Sequence, residues 1–292
     1  MNATMHLPIL EERELFEPSR IHAHRAIEQA VDLSKGKLSV ILHGGEPMFV
    51  WDLVEDIVRR GRAYARSCGV KIDFAGQTNL TRVTDRVVAF SEENNIAWSI
   101  SHDGLLKNND KKAVLHEGSC SNALFVAVKR AYPSFVERCD VITTVNRSNQ
   151  ANLLELARYF RDNGVSAWDW SLFHPLGRGR DVVSSDIDPD VLLPAYTQLF
   201  NAVAAGEFDR FPVLPVKKFL DNFMRGAGSS RSTRAEVEEA RVLLSLSPDG
   251  TVRADDNAVG PEGCAIALHA FDLISTELAQ GRALTLYMES LP

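Results

Sequence analysis

The chain has 292 residues, 45% of them hydrophobic, a formal net charge of −7 and a pI near 5.7. That length and apolar content suffice for one substantial α/β core, and the acidic balance excludes nucleic acid as the natural partner, since nothing draws the molecule to a phosphate backbone. No apolar run of about 18 residues exists, and Met1 to His6 has neither the basic start nor the apolar centre of a signal peptide, so no membrane association is expected and the protein is expected to be cytoplasmic.

Helical periodicity begins over about 21–33. Leu38-Ser39-Val40-Ile41-Leu42 then reads as a buried strand that runs straight into His43-Gly44-Gly45-Glu46-Pro47. Two glycines let the backbone approach a ligand that any Cβ would hold off, and Glu46 sets one negative charge beside them, which suits an amino group. An ordinary strand-to-helix turn with an exposed Glu fits the same pentapeptide. An amphipathic helix follows over 51–67, ended by Gly69, then a strand over 70–75, Gln77-Thr78-Asn79, and a helix over 81–94. A strand over 96–101 ends at His102-Asp103-Gly104. A helix over 121–132, a strand over 141–145, a helix over 152–163 with Gly164 as its C-cap, and a strand over 167–173 complete the series.

Short β-rich runs alternating with helical periodicity are the signature of βαβ units around a parallel sheet. Polar residues gather just after the strand ends, where such folds place their sites. Beyond His174 the repeat stops: 191–205 and 216–224 are helical, 226–233 is a Gly/Ser/Arg loop, and 242–246 with 251–253 form a hairpin about Pro248-Asp249-Gly250. The fold expected is an α/β partial barrel over 1–186 with a C-terminal α+β appendage over 187–292.

Cys68, Cys120, Cys139 and Cys264 are far apart, with no local spacing that would hold zinc or an iron-sulfur cluster. They read as buried thiols, Cys68 at a helix end and Cys139 at the opening of a strand; Cys264 and His269 are too few for a metal site. A metal-dependent or Schiff-base barrel enzyme is weakly supported. His43, His102 and His174 fall near strand ends without a carboxylate at ligand spacing, and Lys107, Lys111 and Lys112 lie in a loop.

The order and spacing of LHGGEP, QTN and SISHDG after three successive strands resemble the radical S-adenosylmethionine superfamily, and most closely its peptide and protein maturases, which include the anaerobic sulfatase-maturating enzymes and SPASM-related members. The resemblance covers roughly 36–185, including the segment from Thr143 to Arg180. It implies a partial (β/α)6 TIM-type barrel. It implies also that S-adenosylmethionine is the cofactor, with Gly44, Gly45, Glu46 and Pro47 gripping its methionine end and Gln77, Asn79, Ser99 and Asp103 near the carboxylate, the ribose or the substrate. Leu172 to Leu176 would wall the adenine, Leu176 at its end, and a peptide or protein side chain would be the substrate. Each polar residue has a simpler use: Gln77 and Asn79 as caps of the next helix, Ser99 as a partner of nearby backbone, Asp103-Gly104 as a turn. Arg178, Arg180, Arg225, Arg231 and Arg234 would close over a peptide or stand in solvent.

The sequence departs from the family at the front. Its C-x3-C-x2-C loop, whose thiolates hold a [4Fe-4S] cluster, is absent together with the first barrel strand, and no cysteine follows the Pro-Asp-Gly hairpin where SPASM members have one. The metal ligands are therefore none, and the chain is expected to be inactive alone. Two explanations stand: Met1 is an internal methionine of a longer enzyme, or the chain is a degenerate, non-catalytic homologue that binds a peptide or partner protein. A missing first strand would leave the edge of 38–42 unpaired, a pairing hazard that favours the first.

Overall fold

The computed structural model describes residues 12–34, 36–43, 46–104, 120, 122–173, 187–224, 241–246, 252–253 and 283–289. Five parallel strands run in chain order: β1 (Lys37–His43), β2 (Lys71–Thr78), β3 (Ala97–Ser101), β4 (Asp140–Val145) and β5 (Trp168–Leu172). Helices α1 (Glu12–Leu33), α2 (Trp51–Ser67), α3 (Asp85–Glu93), α4 (Asn122–Ala131), α5 (Pro133–Arg138) and α6 (Leu153–Asp162) surround them, followed by α7 (Pro189–Ala204) and α8 (Leu214–Met224). The sheet curls into a half-barrel, a partial α/β TIM-type barrel.

Alternation along each strand makes the two faces unlike. On β1 and β2, Leu38, Val40, Leu42, Ile72, Phe74, Gly76 and Thr78 turn outward and are buried under the helices. Ser39, Ile41, Asp73, Ala75 and Gln77 alternate with them on the half-exposed inner face, and Ser99, Ser101, Asp140, Ile142 and Thr144 continue that face on β3 and β4. The inner face is thus mostly polar. Trp98 lies across Gly76, its partner in the β2–β3 register, where a Cβ would collide with the indole. Its Nε1–H donates to Ser91 Oγ on α3 (2.9 Å), so one tryptophan ties β2, β3 and a crossover helix together.

The other edge of the series is closed too. β8 (Ala283–Glu289) pairs parallel with β1, from Leu38 opposite Leu284 to His43 opposite Glu289. β6 (Arg241–Leu246) pairs parallel with β8, and β7 (Val252–Arg253) pairs antiparallel with β6 as the Pro-Asp-Gly hairpin predicts. The edge of β1, expected to be open without a preceding strand, is therefore covered by the last strand in chain order. Periodicity inside 283–289 gave no reason to place it there, because the pairing is non-local. At the far side, Val213 forms a single parallel bridge to Trp168, whose N–H donates to Pro212 O (3.0 Å).

Other differences are local. β2 runs through Thr78, so Gln77 lies in the strand rather than after it, and α3 begins at Asp85 with Thr84 accepting from Val87 N–H as its N-cap (3.3 Å). Gln77 and Asn79 consequently do not cap that helix. Cys68 is the C-cap of α2 and is exposed rather than buried, while Cys139 ends the short α5, one residue before β4, and donates to Phe135 O (3.2 Å).

Candidate functional site

The turn after β1 is built around Glu46. Pro47 fixes the first residue of a 3-10 turn over Pro47–Val50, and Glu46 caps it by accepting Met48 N–H at Oε1 (3.1 Å). The same oxygen accepts the Thr78 hydroxyl (2.9 Å), and Oε2 accepts Asn79 N–H (2.6 Å). One carboxylate therefore joins the ends of β1 and β2. Burial raises the Glu46 carboxyl above the ordinary carboxylate range, and the three donors pull it back part of the way.

The residues after β2 form two interlocked turns. Thr78 Oγ1 accepts Leu80 N–H (3.0 Å), and Asn79 Oδ1 accepts both the N–H (3.0 Å) and the hydroxyl (2.6 Å) of Thr81. Leu80 has a φ of +64° and is only 1% exposed, a left-handed backbone that costs energy for a side chain of its size. Thr78, a hydrogen-bond partner of Glu46, was not among the expected site residues. Its alternation marks it as an outward core position, and the overlapping Thr-x-Leu and Asn-x-Thr turn pattern was the available signal.

Gln77, on the inner face, donates from Nε2 to Ser101 Oγ (2.8 Å), and Ser101 O accepts Cys120 N–H (2.6 Å). Burial, aided by the charge of Glu46, pushes the Cys120 thiol up to about 12. Hydrogen bonds thus join Glu46 to Thr78 and Asn79, and Gln77 to Ser101 and Ser101 to Cys120, at the C-terminal ends of β1, β2 and β3. Ser99 and Asp103 hydrogen-bond to groups on β4. Ser99 donates to Asp140 Oδ1 (2.7 Å) lower on the inner face, where burial and the nearby Asp169 raise the Asp140 carboxyl. Asp103 continues the β3–β4 ladder with a side chain: its Oδ1 accepts Thr144 N–H (3.0 Å), and its carbonyl accepts Asn149 Nδ2–H (3.0 Å). Its carboxylate satisfies β4 where β3 has ended.

His102, beside it, is wholly buried and ringed by Phe125, Tyr159 and Phe160. Its Nδ1 accepts Gly104 N–H (3.0 Å), and desolvation drives its pKa down to about 4. It is a neutral core group. No grouping of three or more His, Cys, Asp and Glu suited to a metal ion occurs among the described residues. Gly44, Gly45, Leu176, His174, Cys264, His269, the lysines Lys107, Lys111 and Lys112 and the five arginines Arg178, Arg180, Arg225, Arg231 and Arg234 lie outside the described residues. Among the described helices none is long and apolar enough to cross a membrane.

No family model matches the sequence, and comparison with curated proteins gives no significant match. Solved structures do match. The anaerobic sulfatase-maturating enzyme anSMEcpe, with bound AdoMet and Kp18Cys peptide, superposes with a TM-score of 0.65 at 16% identity, over 83% of this chain and 67% of that one. The chain shares the fold of that enzyme. A second anSMEcpe structure with bound AdoMet gives 0.62 at 16% identity, over 82% of this chain and 66% of that one. SuiB of Streptococcus suis, bound to its precursor peptide SuiA, gives 0.58 at 11% identity, over 88% of this chain and 57% of that one. Both are radical S-adenosylmethionine peptide-modifying enzymes, and this chain spans about two thirds or less of their length.

Proposed function

We propose that the chain binds S-adenosylmethionine at the C-terminal ends of β1 and β2 and takes part in modifying a peptide or protein side chain. The observation that carries this is the Glu46 carboxylate, half-buried at a strand end in a fold shared with AdoMet-bound enzymes and held ready by three donors. A half-buried carboxylate fixed in this way suits an ammonium group as its counter-ion. Glu46 would take the amino group of the cofactor, with Gly44 and Gly45 beside it and Asn79 and Gln77 flanking. The chemistry supplied by S-adenosylmethionine in the resembling enzymes is hydrogen-atom abstraction by a 5′-deoxyadenosyl radical. The described cysteines do not suit a [4Fe-4S] cluster, since they stand singly at a helix end, before α4 and under α5.

The polar inner face, with Gln77, Ser99, Ser101 and Thr144, would form the wall along which a peptide lies; two of the solved neighbours hold a bound peptide. Calorimetry with S-adenosylmethionine tests the cofactor assignment. Binding to the parent chain and a loss of about a hundredfold in Glu46→Ala, the scale for truncating one partner of a buried charge pair, support it. Equal heats for the two proteins would remove Glu46 from the site. Capture of a peptide by a chain that takes no S-adenosylmethionine would favour the non-catalytic alternative.

A further inference from the structure

The two oxygens of Glu46 are not equivalent. Oε1 accepts two donors, Met48 N–H and the Thr78 hydroxyl, whereas Oε2 accepts one, Asn79 N–H, among the described residues. A carboxylate oxygen has about two acceptor directions, so Oε1 is filled and Oε2 retains capacity. The filling of Oε1 depends on how the Thr78 proton is aimed. Leu80 N–H donates to Thr78 Oγ1 (3.0 Å), which leaves the hydroxyl's single proton to be given away, and Glu46 Oε1 lies at 2.9 Å with Met48 Sδ at 3.3 Å behind it. The Leu80 N–H reaches back because Leu80 is held left-handed at φ +64°, with its side chain locked in the core at 1% exposure. A strained non-glycine residue persists only where its surroundings over-determine it, and such positions cluster at ligand clamps.

We propose that the Thr78-Asn79-Leu80 turn is a positioning device that saturates Oε1 of Glu46 and presents Oε2 to the ammonium group of the ligand, with Thr78 as the positioning residue. This rests on the cofactor assignment above and adds which oxygen does the binding and what aims it. Thr78 touches no ligand in this scheme. It acts through Glu46, by holding the carboxylate ionised and in one orientation before the ligand arrives. The titratable group facing Glu46 from the segment before α4 is Cys120, which stays a neutral thiol with its pKa at about 12, so the carboxylate is the group that titrates in the acid range.

The test compares the parent chain with Thr78→Val, Thr78→Ser and Glu46→Gln. Valine keeps the shape and deletes the hydroxyl; serine keeps the hydroxyl and loses a methyl group. S-adenosylmethionine affinity is measured across pH by calorimetry, and the Glu46 carboxyl is titrated without ligand by carbon NMR. Expected are about a tenfold loss of affinity at neutral pH in Thr78→Val, the weight of one hydrogen bond to a charged group, and an acid limb of binding moved to higher pH. The ligand-free Glu46 titration should move the same way, because a donor that favours the ionised form is gone. Thr78→Ser should restore both.

Parent-like affinity and titration in a folded Thr78→Val would overturn the proposal, as would a Thr78→Ser as impaired as Thr78→Val, which would mean that the methyl packing mattered. Failure of the parent chain to bind S-adenosylmethionine would instead remove the cofactor assignment and the role given to Oε2, while the ligand-free titration would still decide whether Thr78 governs Glu46.

Discussion

The half-barrel has two seams that run past the ends of their strands, and they use a carboxylate differently. At the β1–β2 seam, Glu46 draws three donors onto itself in a half-buried position and, among the described residues, accepts only one of them at Oε2. At the β3–β4 seam, Asp103 accepts a backbone N–H of β4 and so stands in for a missing rung of the ladder. Around it Thr143 donates to His102 O (2.7 Å), Trp168 Nε1–H donates to Thr143 Oγ1 (2.9 Å), and Asn149 holds the carbonyls of Asp103 and Thr144. The lesson is that an acidic residue after a strand identifies a seam. Only its partners tell whether the seam serves a ligand or the fold.

The contrast breaks first at the two carboxylates. Glu46→Ala should lose about a hundredfold or more in S-adenosylmethionine affinity, whereas Asp103→Ala should keep affinity within a few-fold and instead cost about 2 kcal/mol of stability by leaving Thr144 N–H unpaired. Calorimetry and denaturant unfolding of both variants separate the cases, and the reverse assignment would dissolve the comparison. The binding itself should weaken as pH falls through the raised pKa of Glu46, since protonation removes the counter-ion.

His102 sharpens the fold side of the contrast. Its folded pKa of about 4 lies below the ordinary histidine value, so between the two values the unfolded chain holds the extra proton. Its contribution is full above a pH of about 6.5 and is lost as pH falls toward 4, about 3 kcal/mol in all. Unfolding free energies measured across that range should slope accordingly, and His102→Phe should flatten the slope. Between the seams, Gly76→Ala should cost about 1–3 kcal/mol by driving a methyl group into Trp98. Smallest is the rim of the Glu46 turn, where the Arg82 guanidinium lies 4.3 Å from the centre of the Phe49 ring, itself 61% exposed. Arg82→Ala should lower stability by about 0.5–1 kcal/mol at most, readable as a small shift in Tm.

Much of the half-barrel was legible from local pattern. The helix over 51–67 and the five strands fall within a few residues of their expected bounds, because period-two and period-3.6 alternation is imposed by which face each element buries. Glu46 was singled out as a candidate from its glycine neighbours, and the structure sets its carboxylate between the ends of β1 and β2. Ser99 and Asp103 carried the same strand-end signal, and the structure pairs them with Asp140 and Thr144, partners about forty positions away in the chain. Thr78 was hidden by its alternation, which is that of a core residue.

What the sequence by itself determined is the succession of strands and helices and the polar character of the strand ends, since both follow from residues within one turn or one strand of each other. The tertiary structure alone decided that β8 covers the edge of β1, that Oε1 of Glu46 is filled from β2, and that Asp103 belongs to the ladder. Those are pairings between distant segments. A hydrogen bond or a strand edge is satisfied by whichever group the closed fold brings within reach, and no local pattern records which group that is.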